Sequence, residues 1–304
     1  METTTLDTSQ QELSQNKQLQ IADLRSGKLW KVLGVLCLAG IVYAYHRTFD
    51  FWWMQWWRDN SEYSHGVLIP FMSAFLIWFE WNRIRRIPIK PNPVGFLLLV
   101  PVIIVQLAAN RAGIASVSGL TFPVVIGIII LLILGKEAVK AMWFPILFLF
   151  FMCVPPSSIL EGLSFKIQML STQCATLGLK LIGLDVYRHG QKIQLPGIGV
   201  QVAKACSGFR MLIALLAFTT FFAYMKVGPL WGRLSLIAFV IPLSLIANSI
   251  RVLLIALVGN YYGNDAMHTF HDYSGYLVLV IAFIALMLLS MVVKCQDFKT
   301  MPAR

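Results

Sequence analysis

Apolar residues run through this chain in long unbroken blocks rather than at spaced positions. The blocks at 117–134, 211–224, 234–257 and 276–293 are each near the length that crosses a bilayer. Extended to the weaker blocks, the pattern predicts about eight spans, at 30–45, 66–82, 94–109, 117–135, 141–155, 206–226, 234–258 and 273–293. The segment 156–205 is too polar to cross. Within it, 157–184 carries apolar residues at helical spacing and suits an amphipathic helix lying on or dipping into the membrane surface. The stretch 185–204 alternates around Gly190, Pro196, Gly197 and Gly199, which predicts a short β-hairpin leading into the sixth span. The expected fold is therefore an all-α polytopic integral membrane protein. It is flanked by a polar tail at 1–29, too long and mixed for a cleavable signal peptide, and by a short tail at 294–304, with one membrane domain at 30–293.

Composition agrees. Of 304 residues, 58% are hydrophobic and only 13% charged, a balance that excludes an ordinary soluble domain. The net charge of +11 does not signal nucleic acid, because Lys and Arg sit between the apolar blocks. With an even number of spans, one face collects Lys17, Arg25, Lys28, Lys31, Arg83, Arg85, Arg86, Lys90, Lys136, Lys140, Lys226, Arg233, Lys294, Lys299 and Arg304. The short loops of the other face hold only Arg47, Arg58 and Arg111. The positive-inside rule then puts both termini in the cytoplasm and leaves 46–66, 156–205 and 259–272 outside.

The outer segment 46–66 is packed with Trp52, Trp53, Trp56 and Trp57, which reads as an interfacial aromatic belt. Cys37 and Cys295 read as small packing residues. Cys153 and Cys174 both fall near the outer face, where a structural disulfide is an open alternative.

Polar residues inside spans are costly and mark candidate sites. Cys206 opens span six, with Arg210 one turn later. Asn248 and Arg251 lie in span seven, and His268 and His271 in the last outer loop. The alternating topology brings Cys206, Arg251 and His271 to one face at similar depth. Taken singly, each has a plain structural reading: a packing cysteine, a snorkelling arginine, a loop histidine. Taken together they carry chemistry. A thiol at a helix N-terminus beside Arg and His becomes a thiolate nucleophile. The imidazole can protonate a leaving amine, and the guanidinium can stabilise an oxyanion. Two other classes stand beside the enzyme. One is a secondary transporter, which would need no Cys and would show repeat symmetry. The other is a non-catalytic subunit of an envelope polysaccharide or export system. A metal site of Cys206, His268 and His271 would lack a fourth ligand.

The segments Ala205-Cys206-Ser207-Gly208, Asn248-x-x-Arg251-Val252 and His271-x-x-x-Gly275 resemble, in this order, the three signature motifs of the exosortase/archaeosortase family. Tyr63-Ser64-His65-Gly66 resembles a further family feature. The resemblance implies a cysteine protease or transpeptidase. Its substrates would be secreted proteins ending in a short recognition motif, one transmembrane helix and a basic tail, and its acceptor a membrane lipid, a glycan or water. It implies Cys206 as nucleophile, Arg251 as the oxyanion-stabilising arginine and His271 as general acid and base. His65, Arg210, Asn248 and His268 are accessory candidates. No cofactor, metal or nucleic acid is implied.

Overall fold

The computed structural model describes residues 27–58, 61–196, 198–202, 208–295 and 297–300; of 27–34 and 36–38 it describes the helical backbone alone. The chain falls into two compact units that divide between Phe49 and Asp50. In the first, Tyr43 and His46 stack with ring centroids 5.8 Å apart.

The first helix, α1, runs Gly27–Trp57. A 3-10 turn at Ser64–Leu68 leads into α2, Ile69–Phe79, and a single turn α3 follows at Trp81–Ile84. Two apolar helices come next, α4 at Val94–Ala112 and α5 at Ala115–Ile133. Helix α6, Lys136–Phe148, tightens into a 3-10 turn at Leu149–Met152. The chain then bends by 81° into α7, Ser157–Leu181. Three short strands follow: β1 Tyr187–His189, β2 Lys192–Gln194 and β3 Gly199–Gln201. Helix α8 is Phe209–Met225, and α9 is Leu230–Val292.

Helix α9 is a hairpin of two limbs, 230–262 and 264–292. They are broken at Gly263, whose φ of 85° is a left-handed conformation that glycine adopts without steric cost. This corrects one expectation. The stretch 259–272, read as a loop because it is polar, is helical on both sides of that single residue. Polarity there marks a helix reaching beyond the apolar zone, not an absence of helix. His268 and His271 thus sit on the helical second limb.

A helix lies within each of the eight expected spans, but helix is not crossing. Among the described residues three helices are long and apolar enough to span a membrane: α4, α5 and α9. The bent pair of α6 and α7 would be a fourth if it forms one broken span or a re-entrant loop. Helices 64–79 and α8 are apolar but shorter. The expected hairpin is a three-stranded antiparallel meander in the order β1-β2-β3, since the run after Pro196 returns as a further strand.

The tryptophans divide by face. Trp52 is buried, stacked on Trp56 at 5.9 Å and edge-on to Phe122, whereas Trp53 and Trp57 are exposed. Residues four apart share a helix face, so one pair packs inward and only the other fits an interfacial belt. Cys295 is fully buried, its sulfur filling the space above Gly228 and Gly232. Cys153 and Cys174 are both free thiols, so no disulfide joins them; Cys153 is buried and donates to the Gly119 carbonyl, whereas Cys174 is exposed. Of the packing layers in the C-terminal half, two bear on the motif residues. Leu215 of α8 meets Val240, Ala282 and Leu286 from both limbs of α9. Leu179 of α7, Ile193, Leu195 and Val200 of the sheet region, and Val252 and Ile255 of α9 form the other. The second layer anchors the sheet beside the first limb of α9, next to the motif residues.

Candidate functional site

The sequence motifs converge along α9. Gly208 caps the N-terminus of α8 with φ +79° and is buried against Asn248; a Cβ built on it would lie 2.7 Å from Asn248 Cγ. Both the backbone conformation and the close approach require glycine here. Asn248 is itself almost fully buried. The first motif therefore ends against the first residue of the second.

Arg251 stands one turn beyond Asn248 and reaches across to the second limb. Its Nε donates to Ser274 Oγ at 2.9 Å, and its Nη2 donates to the His271 carbonyl at 3.0 Å. Ser274 Oγ donates in turn to the same carbonyl at 3.1 Å. A Cβ on Gly275 would lie 3.6 Å from Nη2, in ordinary van der Waals contact, so Gly275 sits directly beside the guanidinium. Two of the five guanidinium N–H donors are engaged in this way. The others meet no acceptor among the described residues. The cation is half-buried and its orientation is set by groups on the opposite limb of the hairpin, which is the pattern of a preorganised donor.

His271 is half-buried, with Nδ1 3.3 Å from the Asp272 carboxylate. It borders a cavity of about 170 Å³ with His268, Met267, Val252, Ile255 and the strand end 200–202. His268 is exposed at the rim of that cavity. Arg210 sits in the first turn of α8, part-buried. Cys206 lies outside the described residues, as does the metal alternative that depends on it; in sequence it stands two residues before Gly208.

His65 belongs to a different place. It is buried in the 3-10 turn before α2, packed at 5.6 Å on Tyr63, with neither ring nitrogen hydrogen-bonded among the described residues. Burial pushes its pKa down to about 4, so the ring is neutral. The Trp56 indole covers Gly66 so closely that no Cβ fits there. Tyr63 lines a separate cavity of about 660 Å³ with Arg58, Glu62, Ser157 and Glu161. No residue of the 63–66 turn borders the histidine cavity.

The residue that sequence reasoning missed is Ser274. The signal was present: it stands three residues after His271 and just before Gly275, on the helix face that those two share.

The sequence profile of the transmembrane exosortases matches residues 56–288. That interval takes in the Tyr63–Gly66 turn, the sheet and all three converging segments. No curated protein and no solved structure matches the chain.

Proposed function

Because the chain belongs to the transmembrane exosortase family, whose profile covers most of its length, we propose that it is a membrane-embedded cysteine transpeptidase that cleaves C-terminal sorting signals from secreted proteins. The observation that carries this reading is the arginine hub: Arg251 held by Ser274 and the His271 carbonyl, one turn from the Asn248 side chain on which Gly208 rests. Cys206 is only two residues from Gly208 along the chain, a reach of at most about 7 Å.

In this reading the Cys206 thiolate attacks the scissile carbonyl carbon, forming the C–S bond while negative charge moves to the carbonyl oxygen. Unengaged Arg251 donors stabilise that oxyanion. Collapse of the intermediate breaks the C–N bond, and His271 gives its proton to the departing amine, which leaves with the transmembrane helix and basic tail. A thioester remains. An acceptor O–H or N–H, from a lipid, a glycan or water, then attacks the thioester carbon. His271 takes the acceptor's proton and Cys206 leaves as thiolate. In the proposed orientation both termini are cytoplasmic and the reaction takes place on the outer face of the inner membrane.

The thioester supplies the test. Incubated with a tagged secreted protein from the same genome that ends in one transmembrane helix and a basic tail, the enzyme is expected to form a covalent adduct that hydroxylamine releases. The adduct should be missing from Cys206→Ser. An equal adduct in that variant would place the nucleophile elsewhere.

A further inference from the structure

Among the described residues, the three-stranded sheet has an unpaired edge that borders the histidine cavity. Strand β3 pairs with β2 through Val200 opposite Ile193. On either side of that pair, the Val202 N–H donates to the Gln191 carbonyl and the Leu195 N–H to the Ile198 carbonyl. Backbone polar groups alternate in direction along a strand. Residues 198, 200 and 202 therefore turn theirs toward β2, and Gly199 and Gln201 turn theirs outward. No described backbone group pairs with Gly199 or Gln201 on that side. An unpaired edge is a template for another extended chain.

Open volume surrounds the end of this strand. Gln201 and Val202 line the cavity of about 170 Å³ that holds His268 and His271. They also line a second cavity, of about 320 Å³, against Ser164 and Gln168 of α7. Glu161 lines both that second cavity and the one of about 660 Å³ at Tyr63. Gln168 Nε2 donates to the Val202 carbonyl, tying the strand end to α7. Four residues after Val202 the chain reaches Cys206.

We propose that the outer edge of β3 binds an extended stretch of the substrate polypeptide as an added fourth strand, delivering its scissile bond to Cys206. The inference rests on the transpeptidase reading above. A peptide is the occupant because the edge offers what an extended backbone needs: one N–H and one C=O on each of Gly199 and Gln201, at two-residue spacing. The amide and hydroxyl side chains of Gln191, Gln201, Ser164 and Gln168 beside it supply both donors and acceptors, with no cluster of one charge to favour an anionic headgroup. Main-chain pairing sets register without reading side chains. The recognition motif would then be read by the flanking cavities.

Proline separates the two edges of the sheet. Gln201→Pro removes an outward N–H that the sheet does not use, a substitution edge strands tolerate. Arg188 holds the equivalent outward position on β1, the opposite edge, away from the cavities, so Arg188→Pro is the control. The probe is the tagged secreted protein described above, carrying a photocrosslinking residue in the stretch before its transmembrane helix. Capture is read in a Cys206→Ala background, so cleavage cannot clear the complex. Gln201→Pro is expected to cut capture by about tenfold, from the lost hydrogen bond and the blocked approach, while Arg188→Pro leaves it intact. Full capture by Gln201→Pro, or equal loss in both variants, overturns the proposal. Cleavage of the same probe with Cys206 intact keeps the two claims apart. If the unsubstituted enzyme fails to cleave, the transpeptidase reading falls and this inference with it; if it cleaves and Gln201→Pro cleaves equally well, this inference falls alone.

Discussion

Gly208 and Asn248 are in direct contact, and the contact leaves no room for a β-carbon: one built on Gly208 would stand 2.7 Å from Asn248 Cγ. Gly208→Ala therefore has two costs, a left-handed backbone worth about 1–2 kcal/mol and the displacement of a buried side chain. The expected result is a lower melting temperature in detergent together with a loss of cleavage of tenfold or more.

Ser274 orients Arg251 through the Nε hydrogen bond. A hydrogen bond to a charged group contributes about 1.5–3 kcal/mol, so Ser274→Ala is expected to lower kcat by about tenfold or more. KM should change less, because the oriented donor acts most strongly once the oxyanion forms. Ser274→Thr, which keeps the hydroxyl, should retain most activity. A purely packing role for Ser274 would move stability and leave kcat in place.

Arg251 itself bonds in two directions, to Ser274 Oγ through Nε and to the His271 carbonyl through Nη2. Lysine keeps the charge and loses the planar fork. Arg251→Lys is expected to retain little cleavage and Arg251→Ala none, with capture of substrate surviving in both. Cleavage and crosslinking on the same membranes check this. Unsubstituted rates in Arg251→Ala would make the arginine structural and turn attention to Arg210.

The two histidines should behave differently although both border the cavity. His271 lies at the arginine hub through its own carbonyl, whereas His268 is exposed at the rim. His271→Ala should abolish cleavage and His268→Ala lower it a few-fold at most. Because the His271 contact to Arg251 is made by backbone, the alanine variant preserves the hub, and its loss reports on the ring alone. The reverse order of effects would mean that the motif has been registered on the wrong histidine.

Much of this arrangement was legible in the sequence because membrane burial makes polar residues conspicuous. Asn248, Arg251 and the 205–208 segment stood out as expensive groups in or beside apolar blocks, and the structure brings Gly208, Asn248, Arg251 and His271 together. Three features were not legible. The α9 hairpin bends at Gly263 alone, and a single glycine between polar residues looks like loop. Ser274 is an ordinary residue until a partner 23 positions away bonds to it. The third strand of the sheet depends on long-range pairing, which a run of three residues cannot advertise. His65 carried a motif resemblance of its own, and the structure packs it in a buried turn with Tyr63, away from the histidine cavity.

The central claim, that this chain is a cysteine transpeptidase working through the segment that ends at Gly208, meets its most direct test at Cys206. The measurement is the size of a tagged substrate in cells producing Cys206→Ala at the same membrane level as the unsubstituted protein. The thiolate and not the side-chain volume performs the chemistry. The expected result is full accumulation of the unprocessed substrate with the variant stably inserted. Normal processing by Cys206→Ala would contradict the account.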